Sequence, residues 1–196
     1  MKPLFLTLSL LAVGFTSSAS GDEVIKDDFS GESLSGSWVA VKGDWKIQDG
    51  MLSGAELESD KHAAVLNYSA PHNSNDGEIK FQLNGSREFH LSFNHPKGHL
   101  YRVVVKEDSV SLRTDKDKKD PASRAINLET VKGTFEQGRT YTMNFKVADG
   151  TATVEFDNGL KVTGTHELLK KEKTGYRLII KGEGVLFDDF VIHSQG

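Results

Sequence analysis

Three of the chain's seven histidines, His90, His95 and His99, fall within ten residues, and Arg102 follows them closely. Histidine takes up and returns protons near neutral pH, and it is a common metal ligand. A guanidinium is a permanent positive charge that can hold a developing oxyanion. Such a group could supply a general base with an electrophile beside it. The three histidines lack the fixed short spacing of zinc-ligand motifs, so the metal signal is weak.

The residues around them say how they are held. Ser86–Lys106 reads SREFHLSFNHPKGHLYRVVVK. Phe89, Leu91 and Phe93 alternate with His90, Ser92 and Asn94, the period of a strand with one apolar and one polar face. Asn94-His95-Pro96-Lys97-Gly98 supplies turn chemistry. Alternation then resumes, with Tyr101, Val103 and Val105 on one side and Leu100, Arg102 and Val104 on the other. The segment predicts a hairpin that packs on one face and presents His, Asn and Arg on the other. In this phase His99 falls on the side of Tyr101 and Val103, at the edge of the core.

Strand signals dominate the rest of the chain. Short runs rich in Val, Ile, Phe, Tyr and Thr recur from Val24 to His193, separated by Gly-rich turns. Asp49-Gly50, Asp149-Gly150 and Asn158-Gly159 have the composition of tight hairpin turns. No sustained 3.6-residue period appears beyond residue 20, and His166–Glu172 has room for one helical turn. Many short antiparallel strands without helices imply a two-sheet sandwich or a barrel, and a dozen or so strands favour an all-β jelly-roll sandwich.

Residues 1–20 are set apart by their pattern. Lys2, the apolar run Leu4–Phe15 and the small residues Ser17-Ser18-Ala19-Ser20 form the tripartite pattern of a secretory signal peptide, with cleavage after Ala19 or Ser20. The apolar run is too short for a spanning helix, so no membrane insertion is expected. Residues 21–196 then form one domain, secreted or periplasmic. A formal net charge of −4 gives no reason to expect nucleic acid as a partner. With no cysteine, stability comes from packing alone. The run Arg113–Asp120, RTDKDKKD, alternates in sign and reads as a solvated loop.

Asp27-Asp28-Phe29 opens the domain and Asp188-Asp189-Phe190 closes it. If the first and last strands lie side by side, four carboxylates meet and repel unless a cation or basic groups sit among them. Calcium accepts oxygen ligands of this kind, which makes Asp28 and Asp189 candidate metal ligands. The alternative is ordinary turn and strand-edge aspartates.

Several segments together resemble one family. They are Gly43-Asp44-Trp45-Lys46-Ile47 with Asp49-Gly50-Met51-Leu52-Ser53-Gly54, Lys61-His62-Ala63-Ala64, Asn94–His99, Lys116–Pro121, Phe135-Glu136-Gln137-Gly138, Asp157-Asn158-Gly159-Leu160, Thr174-Gly175-Tyr176-Arg177 and Asp188-Asp189. Their order and spacing resemble the secreted 3-keto-disaccharide hydrolase domain, or family-16-like glycoside hydrolases, of the concanavalin A-like lectin/glucanase superfamily. The resemblance spans the mature chain and implies a jelly roll with a carbohydrate partner. It departs from true family 16 enzymes, whose Glu-x-Asp-x-x-Glu strand is missing. Retaining hydrolysis needs two carboxyls about 5 Å apart, and no single strand here supplies them, although Glu78 and Glu155 could converge from two.

The 3-keto chemistry that the resemblance implies begins with removal of the proton beside the ketone and ends with expulsion of the leaving sugar. His90, His95 and His99 are its candidate catalytic residues. Arg102, Lys118, Asn144 and Arg177 are the candidate substrate-binding residues. The implied function is a glycoside hydrolase of this type. The other readings are a non-catalytic lectin-like module and an extracytoplasmic scaffold. Trp38 and Trp45 read as core residues, so no aromatic ladder marks a polysaccharide cleft.

Overall fold

The structure, a computed structural model, describes residues 23–95, 98–117 and 120–195. The expected signal peptide, residues 1–20, and Lys118 lie outside the described residues. Fifteen strands follow one another: β1 (Glu23–Asp27), β2 (Trp38–Lys42), β3 (Asp44–Gln48), β4 (Met51–Ala55), β5 (Ala64–His72), β6 (Ser74–Leu83), β7 (Glu88–His95), β8 (Gly98–Lys106), β9 (Ser109–Thr114), β10 (Ile126–Lys132), β11 (Thr140–Ala148), β12 (Thr151–Phe156), β13 (Lys161–Thr165), β14 (Lys173–Lys181) and β15 (Val185–Gln195). Two short 3₁₀ turns, Glu58–Asp60 and Glu167–Lys170, are the helical content among the described residues. The second falls inside the expected His166–Glu172.

The strands form two antiparallel sheets. One runs β13-β12-β11-β6-β15-β4-β3, with β1 also paired to β15; the other runs β10-β9-β8-β7-β14-β5-β2. Their inner faces share one core, as the alternation requires. Phe81 of β6 meets Phe89 of β7 at 4.7 Å between ring centroids, and Phe93 of β7 meets Phe145 of β11 at 5.6 Å. Rings from the two sheets therefore interlock, and each fully buried phenyl contributes roughly 1.5–3 kcal/mol of apolar burial. This is a jelly-roll sandwich, as the sequence predicts.

Turn chemistry sets the registers. Asp49 (φ 52°) and Gly50 (φ 74°), like Asp149 (φ 51°) and Gly150 (φ 77°), both take positive φ, which a type I′ hairpin demands. Asn158-Gly159 departs from the expectation. Only Gly159 is left-handed there (φ 86°), and Asn158 Oδ1 accepts from Leu160 N at 3.2 Å.

The first and last strands lie side by side, since β1 pairs antiparallel with β15 and Asp27 stands opposite Phe190. Basic groups and local donors, rather than shared ligation, satisfy the aspartates there. Lys80 Nζ reaches Asp189 Oδ2 at 2.5 Å, and Asp28 Oδ1 accepts from Ser30 Oγ at 2.7 Å. Among the described residues no three His, Cys, Asp or Glu side chains gather in a metal-binding arrangement. Asp27 instead ties the end of β1 to an aromatic knot. It accepts from Trp38 Nε1 (2.9 Å), Ser35 Oγ (3.1 Å) and Phe29 N (2.9 Å). Trp38 packs edge-on against Tyr68 and Phe190 at 4.9 and 5.1 Å. Asp27→Ala orphans the buried indole N–H and is expected to cost about 1–3 kcal/mol, read as a lowered thermal midpoint.

Candidate functional site on the seven-stranded sheet

The outer face of the seven-stranded sheet is organised in rows, because antiparallel register sets side chains opposite one another. Asn67 of β5 pairs with Arg177 of β14, Arg177 with Ser92 of β7, and Ser92 with Arg102 of β8. Arg102 pairs in turn with Arg113 of β9, and Arg113 with Asn127 of β10. One polar row thus crosses six strands. The next row holds Val65, Ile179, His90, Val104 and Ser111. Its Val65, Ile179 and Val104 are only 5–6% exposed yet stand apart from the inter-sheet core. A third row, Lys181, Glu88 and Lys106, closes the other side. A depression of about 310 Å³ opens here, lined by His90, Arg102, Val104, Ser111, Arg113 and Asn127 among others.

Two hydrogen-bonded chains hold the polar groups. In the first, Arg102 grips Asp115 with Nε at 2.8 Å and Nη2 at 2.5 Å, a two-point fork. Its Nη1 donates to His90 Nδ1 at 3.3 Å, so Nε2–H of His90 donates to Glu88 Oε1 at 2.6 Å. Lys181 also meets Glu88 Oε1, at 2.7 Å. In the second, Arg177 Nε donates to Asn67 Oδ1 at 2.6 Å and Nη1 points to His99 Nε2 at 3.5 Å. His99 Nδ1–H then donates to Ser92 Oγ at 2.7 Å, and Ser92 Oγ to Asn94 Oδ1 at 3.2 Å. An arginine aimed at a ring nitrogen requires that nitrogen to be a bare acceptor, so the donor directions fix both imidazoles as neutral tautomers.

Electrostatics agree with that assignment. Burial and the Arg102 charge bring the His90 imidazole down to about 4, against the opposing pull of Glu88. Burial, then Arg177 and Arg102, bring His99 down to about 4 as well. Burial alone would raise Glu88, but hydrogen bonds from Lys181 and His90 outweigh it and hold the carboxyl at about 2. Burial also lowers Arg177 from its ordinary value.

The structure brings His90, His99, Arg102 and Arg177 to one face. His99 arrives by a route the alternation hides. Phe93 pairs with Tyr101 but Asn94 pairs with His99, so a bulge inserts Leu100. Leu100 and Tyr101 both enter the core, and His99 turns over to join Ser92 outside. It is therefore an outer-face residue and not, as its phase suggests, a residue at the core edge. His95 ends β7, and its side chain is not among those described.

Asn144 is a correction. It lies on β11 in the opposite sheet, between Glu78 of β6 and Glu155 of β12, so it faces away from the histidines. A larger depression, about 570 Å³, opens there. Glu78 and Glu155 do share that face, but their backbones stand two strand spacings apart, about 10 Å. Asn144 separates them and Lys161 holds Glu155 at 2.5 Å. This is not the close carboxyl pair of a retaining glycosidase.

Asp115, Glu88, Arg113 and Asn67 belong to the face but escaped the sequence reading. The RTDKDKKD run is not a free loop at its start, since Arg113 and Thr114 end β9 and Asp115 receives Arg102. Alternation in Ser109–Thr114, with Val110 and Leu112 inside, carried the signal for Arg113.

No family model and no curated protein matches the chain. Solved structures do match it in shape. A carbohydrate binding module, CBM66 from Bacillus subtilis, superposes with a TM-score of 0.65 at 14% identity, over 81% of this chain and 96% of that one. LamAcat from Zobellia galactanivorans gives 0.61 at 12% identity, over 87% and 96%. A GlcNAcα1-4Gal releasing endo-β-galactosidase from Clostridium perfringens gives 0.63 at 11% identity, over 90% and 64%. The chain has a concanavalin A-like jelly-roll fold. At these identities the likeness concerns the fold, and function has to be argued from the site. Among the described residues no helix is long and apolar enough to cross a membrane.

Proposed function

We propose that this chain binds carbohydrate on the outer face of its seven-stranded sheet, outside the cytoplasm. The observation that carries the reading is the row Asn67–Arg177–Ser92–Arg102–Arg113–Asn127, lying beside the sheltered strip Val65–Ile179–Val104. Sugar hydroxyls need planar polar partners, and sugar CH faces need an apolar floor. The polar row offers the first, and Val104, which lines the depression, offers the second. Support also comes from structural neighbours of this fold whose names describe carbohydrate binding or release. Export rests on the signal-peptide pattern of residues 1–20.

A catalytic reading has its own observation. His99 Nε2 is a bare lone pair next to the Arg177 guanidinium, with a contact of 3.5 Å, long enough to open. The resemblance to 3-keto-disaccharide hydrolases gives this pair a reaction. His99 takes the proton on the carbon beside the ketone, and Arg177 holds the enolate oxygen. The enolate then collapses and breaks the bond to the leaving glycosidic oxygen, which takes a proton from the imidazolium. Water adds to the resulting enone to complete hydrolysis.

Titration of the mature chain with neutral and acidic polysaccharides, together with sugar release from 3-keto glycosides, tests both readings. Saccharide binding is expected, and turnover that His99→Gln abolishes while affinity stays within about tenfold. Binding without release retires the catalytic reading. A folded protein that binds no saccharide retires the proposal.

A further inference from the structure

We propose that the carbohydrate taken by this face is anionic, a uronate-bearing chain whose carboxylate seats on Arg177. The inference rests on the carbohydrate reading above and adds the charge of the ligand to it.

Arg177 is a half-buried guanidinium whose partners, Asn67 Oδ1 and His99 Nε2, are both neutral. Among the described residues no carboxylate pairs with it. A charge withdrawn from water is ordinarily met by an opposite charge or a full set of acceptors. Arg102 shows the satisfied case in the same row, with its fork closed on Asp115. Arg177 shows the open case, and its free edge faces the same side of the sheet. Arg113, further along the row, also has no ion-pair partner among the described residues.

Charge balance on the face points the same way. Arg102, Arg113, Arg177, Lys106 and Lys181 stand here against Glu88 and Asp115, although the whole chain carries −4. An acidic protein that concentrates uncompensated cations on one face attracts anions there. A carboxylate matches the planar two-donor edge of a guanidinium. The row crosses the strands, so Arg177 and Arg113 lie three strand spacings apart, about 14 Å. An extended chain laid along the row would bring successive acidic sugars past both.

A bound carboxylate would also cancel the Arg177 charge that helps hold His99 down. The ligand would then raise the basicity of the imidazole beside it, which a neutral sugar would leave unchanged.

The experiment is calorimetric titration at physiological salt with polygalacturonate and the same polymer after reduction of its carboxyls to alcohols. Dextran sulfate, polyglutamate and neutral glucan are run in parallel. The expected result is binding of the uronan, weakened at least about tenfold, or 1.4 kcal/mol, by carboxyl reduction and equally by Arg177→Gln. Arg177→Lys keeps part of the affinity, and Lys46→Ala on the other sheet changes nothing. Histidine NMR should show the His99 titration moving up in the uronan complex. Equal binding of the reduced polymer or of neutral glucan overturns the anionic assignment while leaving the carbohydrate reading intact. Tighter binding of dextran sulfate overturns the choice of carboxylate, and equal binding of polyglutamate reduces the face to a generic polyanion sink. Absence of binding to every glycan removes the carbohydrate reading itself. If Arg177 variants do not fold, the reduced-polymer comparison on the native chain still decides.

Discussion

Acidification from pH 6.5 to pH 4 is expected to strip the protein of much of its stability, because two buried imidazoles and a half-buried one are held neutral. Burial brings His72, His90 and His99 each from 6.5 down to about 4. In the unfolded chain each ring is protonated near pH 6.5, and in the fold only near pH 4. Between those values the unfolded state binds more protons, so stability falls as pH falls. The loss begins at 6.5 and is complete below about 4. Each shift is worth roughly 3 kcal/mol, and less for His99, whose ring is part-exposed and screened by water. Together they rival the ~5–15 kcal/mol that holds a domain of this kind. Glu88 adds a second loss in a lower window, from its ordinary 4.5 down to about 2.

Thermal midpoints measured from pH 7 to pH 4 check this directly, and a flat profile would contradict neutral buried imidazoles. His72→Phe keeps the stack on Tyr176, 4.8 Å between centroids, while removing one titrating group. It should therefore flatten the slope. Lys173 gives a separate signature in alkali. Burial lowers its amine from 10.5 to about 8, while its Nζ donates to the Asn73 and Leu169 carbonyls. The unfolded state again binds more protons between 8 and 10.5, so stability should rise through that range.

Local patterning made much of the fold legible. Thr140–Ala148 and Thr151–Phe156 each carry a strict inside-outside alternation, and Asp149-Gly150 pins the turn between them. β2 leaves no strand signal in the sequence, because only Trp38 of its five residues is buried. An edge strand exposed on both faces leaves no alternation to read. Asn144 and His99 fail for a different reason. Alternation tells which side of a strand a residue takes, but not which sheet the strand joins, and that put Asn144 on the wrong side of the molecule. A bulge shifts the phase by one residue without any change in composition, and that hid His99. Arg177 was legible because Tyr176, Leu178 and Ile180 surround it in clean phase on a central strand.

The second large effect separates what holds this face together from what it recognises. Asp115→Ala removes the partner of a guanidinium that is only 18% exposed at its side chain. Breaking a buried pair from one side costs about 3–5 kcal/mol, and the water that still reaches both groups places this case at the lower end. Chemical denaturation should show a lower midpoint with an unchanged slope. Replacing both partners, Arg102→Met with Asp115→Leu, leaves no stranded charge and should recover most of the loss, since apolar groups of similar size can stand in for a buried pair. The same double variant then reports on recognition. Arg102 has its fork closed on the Asp115 carboxylate, whereas Arg177 meets only the neutral Asn67 and His99, so the double variant should lose less than about tenfold in ligand affinity. Arg177→Gln should lose more while staying folded. If the double variant abolishes binding instead, Arg102 leaves Asp115 when ligand arrives, and the Arg102–Asp115 pair is a latch that the ligand opens rather than a strut.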